Sequence, residues 1–158
     1  MEAKRISESE VVLSQLMQPE HANNLGNIHG GVLMKLIDEA GGMCATRHAR
    51  YPAVTVAVDS LTFLEPVHIG DLVTFRARLT YVGRTSMETE VIVEAEEILT
   101  GRLRITNQAY LVYVALDSKN RRPVEVPRLI LETGREHERW EQAEKRQKER
   151  LLRKAQHA

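Results

Sequence analysis

The apolar residues of this chain follow two different periods. Between residues 30 and 47, Val32, Leu33, Leu36, Ile37, Ala40 and Cys44 recur at helical spacing, which predicts one long and mostly buried helix. Gly41 and Gly42 sit late in that stretch beside the small Ala45. Glycine weakens a helix, so the pattern also predicts that another backbone packs unusually close to it. From Pro52 onward the period falls to two. Val73, Phe75, Ala77 and Leu79 alternate with Thr74, Arg76, Arg78 and Thr80, while Met87, Val91, Val93 and Ala95 alternate with Glu88, Glu90, Ile92 and Glu94. Strands are therefore predicted over 53–64, 72–82, 86–99 and 103–116, each with a dry face and a largely wet one, after a short first strand over 11–17 and a loop over 19–27. Arg76 and Arg78 fall on the solvated face. The connectors Gly70-Asp71, Gly83-Arg84 and Thr100-Gly101 carry turn chemistry, which predicts that successive strands are antiparallel neighbours. The fold class is α+β, an antiparallel sheet around one long central helix. Such a sheet leaves an open edge, and four long strands make that edge a liability unless another subunit covers it, so at least a dimer is expected.

Beyond Pro127 the composition changes to a charge-rich stretch. Residues 1–127 read as the folded domain and 128–158 as a charged helical extension, with Glu132 and Glu138 early and Lys148, Arg150, Arg153 and Lys154 late. That polarity complements a helix dipole. With Trp140 and Leu151 as its few apolar anchors, the extension is expected to be a solvated or partly frayed terminal helix.

Composition removes several function classes. The 158 residues suffice for a core without disulfide or metal staples. Lys+Arg and Asp+Glu both number 22, so charge balance gives no reason to expect nucleic acid or an anionic membrane as partner. The only cysteine, Cys44, has no internal partner, which fits a reducing compartment and the cytoplasm. The charged first residues lack the pattern of a secretory signal, and no apolar run is long enough to cross a bilayer. The histidines at 21, 29, 48, 68, 137 and 157 never fall at the spacing of four that puts two ligands on one helix face, so no catalytic metal is expected. Walker loops, GxGxxG and GxSxG elbows are also missing from the sequence.

The segment from Asn24 to Gly31 concentrates the chemistry. It sets Gly30 and Gly31 at a helix N-terminus, where unpaired backbone N–H groups attract negative charge and a substrate carbonyl can approach with no Cβ in the way. Two glycines that merely permit a tight turn are the competing explanation. Asp38 shares a helix face with Gly31, Met34, Gly41, Gly42 and Ala45, and a carboxylate on so close-packed a face calls for water, a donor or a substrate. Here too a purely structural aspartate is the alternative. Asn24 reads either as a loop cap or as a group that holds water or a substrate group beside Asp38.

Taken in order, Asn24, Gly26 and His29-Gly30-Gly31, then Asp38-Glu39-Ala40, the run Val58-Asp59-Ser60-Leu61-Thr62-Phe63-Leu64-Glu65-Pro66, and Gly83-Arg84-Thr85-Ser86 make a specific pattern. It resembles the hotdog-fold acyl-CoA thioesterases of the cytosolic acyl-CoA hydrolase type, over residues 11–116. The resemblance implies a long helix wrapped by a five- to six-stranded antiparallel sheet, dimers joined sheet edge to sheet edge, and assembly into a hexameric trimer of dimers. It also implies that the catalytic residues are Asn24 and Asp38, meeting across the dimer interface. Helix length leans the same way, since Gly31 and Asp38 lie roughly 10 Å apart along one helix, long for one water and one carbonyl.

The expected reaction is hydrolysis of acyl-CoA to coenzyme A and a carboxylic acid. Backbone N–H groups of Gly30 and Gly31 polarise the carbonyl, and Asp38 takes a proton from water positioned by Asn24. Attack by Asp38 itself through a mixed anhydride is a variant. Coenzyme A is part of substrate and product, so no separate cofactor is expected. Gly83, Arg84, Thr85 and Ser86 offer N–H groups, hydroxyls and a guanidinium for phosphate or pantetheine, and Arg47, with His48 and Arg50, forms a second basic cluster. His29 is either a substrate contact or a loop histidine satisfied by backbone. A non-catalytic acyl-CoA-binding hotdog subunit or ligand sensor is the alternative function, and Asp38 argues against it.

Overall fold

The structure, a computed structural model, describes residues 1–157. Its elements are β1 (Lys4–Arg5), β2 (Val11–Leu16), α1 (Gly30–Ala49), β3 (Ala53–Phe63), β4 (Asp71–Val82), β5 (Ser86–Glu97), β6 (Arg102–Ala115), β7 (Leu129–Ile130) and α2 (Gly134–Gln156), with short 3-10 turns at Ile6–Glu8 and Pro19–His21. The long strands and α1 begin and end within a residue or two of where their periodicities place them. Five strands form one antiparallel sheet in the order β2-β4-β5-β6-β3. Leu33, Ile37, Ala40, Cys44 and Ala45 of α1 pack against Val73, Phe75, Leu79, Met87, Val91, Ala109, Leu111 and Tyr113 of the sheet, and this is the core.

One expected neighbour relation is wrong. β4, β5 and β6 follow one another as hairpins, but β3 pairs with β6 and not with β4. The tight turn at Gly70-Asp71 does form, with Asp71 N–H donating to His68 O at 3.1 Å and Gly70 at φ 89°, but it does not join β3 to β4 as a hairpin. The segment after β3 first passes the start of α1, where Ile28 N–H donates to Val67 O at 2.7 Å and Asn27 bridges to His68. That detour lets β4 pair with β2 instead and leaves β3 at the sheet edge. One side of β3 is therefore unpaired, with Val54, Val56 and Val58 exposed.

The C-terminal extension is not a solvated helix. After a capping box in which Thr133 accepts from Glu136 N–H, α2 lies across the outer face of the sheet. Trp140 packs on Tyr81 with ring centroids 4.5 Å apart, and Ala143 is buried. Arg139 faces Glu90, Arg146 forks onto Glu88, and Arg150 and Arg153 hold Asp59. The wet face of β5 is thereby dry in part: Glu88 is 1% and Glu90 5% exposed. Arg78, expected in solvent, is half-buried and pairs with Glu90 at 2.8 Å. Burial pushes the Glu90 carboxyl up, but hydrogen bonds from Arg78 and Tyr110 and the charges of Arg78 and Arg139 outweigh it and hold the group below its ordinary value. The periodicity identified the polar face; what covers that face lies far along the chain.

At the end of α1 the buried His48 joins the N-terminal segment and the segment that precedes α2 to the core. Its Nε2 bonds to Pro127 O at 2.7 Å, while Lys4 Nζ donates to the His48 carbonyl beside the parallel β1–β7 pair. Because a carbonyl only accepts, Nε2 carries the proton. Nδ1 is buried without a partner among the described residues. Burial, with Lys4 and Arg128 nearby, lowers the His48 pKa despite Glu8 and the Pro127 bond. A folded-state value below the unfolded one, about 6.5, means that the stabilisation is present above pH ~6.5 and is lost as pH falls through the folded value. The thermal midpoint is expected to fall between pH 7.5 and 5.5, and His48→Gln to flatten that slope; an unchanged slope would remove His48 as the cause.

Candidate active site

Asp38 sits midway along α1, half-buried, where the helix faces β3 and β6. Its Oδ1 accepts from Thr55 Oγ1 at 2.7 Å and from the Tyr113 hydroxyl at 2.9 Å. The same phenol lies 3.1 Å from the Asp38 carbonyl. Burial and the adjacent Asp38 charge raise the Tyr113 pKa, so Tyr113 remains a hydrogen-bond donor. With Oδ1 held by two hydroxyls the carboxylate has one orientation, and Oδ2, which has no partner among the described residues, is left for a ligand. A cavity of about 690 Å³ adjoins it, lined by Asp38, Gly42, Met43, Arg47, Thr55 and Tyr113 among others, and mostly apolar.

Gly41 explains how Tyr113 reaches the helix. A Cβ at that position would stand 2.5 Å from the Tyr113 hydroxyl and 2.8 Å from Thr89 Oγ1, whereas one at Gly42 meets only the Tyr113 ring at 3.6 Å. The close approach expected from these glycines is thus real at Gly41, but a side chain makes it and not another backbone. Gly41→Ala is expected to lose about 1–3 kcal/mol of stability and to reduce activity by displacing Tyr113 from Asp38, with Gly42→Ala close to the parent. Equal denaturation midpoints for the two variants would contradict this.

At the other end of the helix, His29 is the N-cap, and its Nδ1 accepts the Gly31 N–H at 3.3 Å. His29 is thus a loop histidine that caps its own helix. Val32 and Leu33 N–H turn back to the His29 carbonyl, leaving Gly30 N–H without an acceptor among the described residues. The Phe63 ring covers Gly30, where a Cβ would lie 3.4 Å from it. A second cavity of about 320 Å³ is lined by Gly30, Asn23, Asn27, Phe63, Leu64 and neighbours.

Asn24 lines neither cavity, and it is exposed at the tip of its loop. Asn23 lines the second one. Its Oδ1 accepts from Leu25 N–H and Asn27 N–H, which fixes the side chain and leaves its amide NH2 unpaired among the described residues. Two adjacent asparagines offered no sequence signal to separate them. Thr55 and Tyr113 carry no sequence signal either, because one is an ordinary strand threonine and the other an inward-facing aromatic.

Within one chain the structure does not unite the expected site. Gly30 and Asp38 open into different cavities, and the Gly83–Ser86 turn is in neither. That turn is tied through Arg84 O to Val126 N–H and through Thr85 O to Ala115 N–H, and it lines a separate hollow with Arg128 and Trp140. Arg47 does line the Asp38 cavity, with its guanidinium bonded to Glu10 O. Cys44 is no nucleophile, since burial pushes its thiol up to about 12. Among the described residues no cluster of three His, Cys, Asp or Glu could hold a metal, and no helix is long and apolar enough to cross a membrane.

This combination of helix and sheet is shared. The profile of the thioesterase superfamily matches residues 25–101. The acyl-CoA thioester hydrolase YkhA of Bacillus subtilis, itself called uncharacterized, is 39% identical over 153 residues, covering 97% of this chain and 88% of the relative. The chain belongs to the hotdog acyl-CoA thioesterase family. A hexameric acyl-CoA thioesterase superposes with a TM-score of 0.93 at 32% identity, covering 98% of this chain and 99% of the other. An acyl-CoA hydrolase from Staphylococcus aureus, solved with butyryl coenzyme A and coenzyme A, superposes at 0.89 with 30% identity, covering 98% and 93%. That enzyme was also solved with an aspartate, an asparagine or a threonine replaced by alanine. Against the mouse cytosolic acyl coenzyme A thioester hydrolase the identity is 39% over 76% of this chain, and the chain spans only 33% of that relative's length.

Proposed function

We propose that this protein hydrolyses acyl-CoA thioesters, with Asp38 as general base and the start of α1 as the carbonyl-polarising group. The observation that carries the reading is the Asp38 carboxylate, oriented by Thr55 and Tyr113 at the wall of an apolar cavity. Water held against Oδ2 loses its proton to Asp38 as it attacks the thioester carbon. The developing oxyanion meets the Gly30 N–H, and coenzyme A leaves as thiolate, a group good enough to need no strong acid. The Gly31 N–H is taken by His29, so Gly30 is the backbone donor in this scheme.

The loop amide assigned here is Asn23, not Asn24. Asn23 lines the cavity that contains Gly30, with its side chain fixed through Oδ1, and Asn24 lies outside that cavity. Spacing supports the same choice. In the S. aureus enzyme the substituted asparagine precedes the substituted aspartate by fifteen positions and the substituted threonine follows it by seventeen. Asn23, Asp38 and Thr55 reproduce both intervals.

The catalytic unit in this proposal is a dimer joined along β3. Thr55 and Ala53 of the exposed edge strand also line the Asp38 cavity, so a second chain on that edge would close it. Its own Gly30 and Asn23 then supply the donors that one chain holds too far from its Asp38. The hexameric relatives support assembly of such dimers into a trimer. Coenzyme A laid from Asp38 toward the C-terminal end of α1 meets Arg47 first, and the Gly83–Ser86 turn with Arg84 stands at that same end. The mouse relative's cytosolic name supports a cytosolic setting.

Free-thiol release over short, medium, long and aromatic acyl-CoA substrates tests the activity, and loop variants test the site. Asn23→Ala is expected to lower kcat/KM by about a hundredfold, and Asn24→Ala by less than about threefold. The reverse ranking would return the role to Asn24. Binding of thioesters by the parent without thiol release would replace the enzyme with a non-catalytic acyl-CoA binder.

A further inference from the structure

The path of α2 over the sheet has a measurable end point. Tyr81 pairs with Glu88, Glu88 with Val112 and Val112 with Ala57, a single register row running β4, β5, β6, β3. α2 follows that row: Trp140 lies on Tyr81, Arg146 grips Glu88 with its guanidinium 3.7 Å over the Tyr110 ring, and Arg150 reaches Asp59. From Trp140 to Arg150 the helix advances about 15 Å, and three strand intervals span about 14 Å. Arg150 therefore stands over the last strand. The helix runs on to Gln156, about 9 Å further, past the sheet edge. At the root of this overhang Arg153 reaches back to Asp59 at 3.7 Å. On it Leu151 and Leu152 are 54% and 65% exposed, on an otherwise strongly polar helix.

We infer that this overhang is a clasp for a second copy of the same chain, with Leu151 and Leu152 packing against their equivalents across the β3 edge. The inference rests on the β3-edge dimer proposed above. A two-fold axis between paired β3 strands lies half a strand interval, about 2.4 Å, beyond β3, which along α2 is one to two residues past Arg150. Leu151 and Leu152 occupy that place. α2 crosses β3 at Ala57 to Asp59, and the middle of the strand Ala53–Phe63 is Val58. Strands paired with their centres slightly offset, so that the axis falls a residue or two to one side of this crossing, leave the two helices side by side at an ordinary packing distance. Charge agrees with this arrangement. Two copies of α2 running antiparallel about that point set Lys154 near Glu149 of the partner subunit, opposite signs across the seam.

Sedimentation equilibrium over a dilution series tests the clasp. Leu151→Glu combined with Leu152→Glu keeps a good helix former at exposed positions, so circular dichroism should match the parent while the dimer dissociation constant rises roughly tenfold or more. Leu99→Glu, on the exposed turn after β5, serves as the control and should dimerise like the parent. A dimeric parent whose dissociation constant is unchanged in the double variant overturns the clasp alone. A parent that stays monomeric at every concentration overturns the β3-edge dimer and the clasp with it.

Discussion

Asp38→Asn is expected to lower kcat for acyl-CoA hydrolysis by about 10²–10⁴-fold, the range typical of losing a general base, while leaving stability within ~1 kcal/mol of the parent. Asparagine keeps an oxygen for the Thr55 and Tyr113 hydroxyls, so the geometry around α1 survives. Its amide takes no proton at neutral pH. Tyr113→Phe removes one of the two orienting donors and should reduce kcat by up to about tenfold, the size of one hydrogen bond. Single-turnover hydrolysis in isotopically labelled water, with hydroxylamine trapping beside it, separates base from nucleophile: label in the Asp38 carboxylate or a trapped acyl group on Asp38 marks covalent attack, and the absence of both marks water activation. Undiminished thiol release by the asparagine variant would sink the mechanism.

The largest stability effect is expected on the opposite face of the sheet. Arg146→Ala should destabilise the fold by about 3–5 kcal/mol, because it leaves Glu88 buried at 1% exposure without its counter-ion. The guanidinium makes two bonds to Glu88, at 3.1 and 2.8 Å, and among the described residues only Thr80 Oγ1, at 2.6 Å, remains as a side-chain donor once it is gone. Replacing both partners, as in Glu88→Met with Arg146→Met, should recover most of the loss, since the desolvation penalty then vanishes with the charges. Urea denaturation of the two singles and the double closes this cycle. Additive losses would show that the pair does not act as a unit. Acid should loosen the same clamp. With the Glu90 pKa lowered in the folded state, its stabilisation is present above the ordinary carboxyl value near 4.3 and is lost as pH falls through the folded value.

Much of the fold was legible because it depends on local periods. The apolar spacing from Val32 to Cys44 has one solution, a buried helix, and the alternation in 72–82 and 86–99 marks the dry face of a sheet. The pairing of β3 was not legible. Turn chemistry at Gly70-Asp71 promises a hairpin, but pairing is settled by which edges are free once Val67 and His68 have docked beside the start of α1. The docking of α2 is hidden from the sequence for a related reason. Its arginines look solvated until Glu88, Glu90 and Asp59, all distant in the chain, are found beneath them.

The candidate site divides in the same way. From the sequence alone came the helix, its glycine start, the odd carboxylate at Asp38 and the expectation of an open sheet edge, since each follows from the spacing and polarity of near neighbours. Tertiary structure decided the rest. It put Thr55 and Tyr113 on Asp38, explained Gly41 by a phenol and not a backbone, spent the Gly31 N–H on His29, and separated Asn23 from Asn24 by which of them faces a cavity. These are contacts between residues far apart in the chain or choices between adjacent identical side chains. A local pattern carries no information about either, because both depend on how the strands stack around the helix.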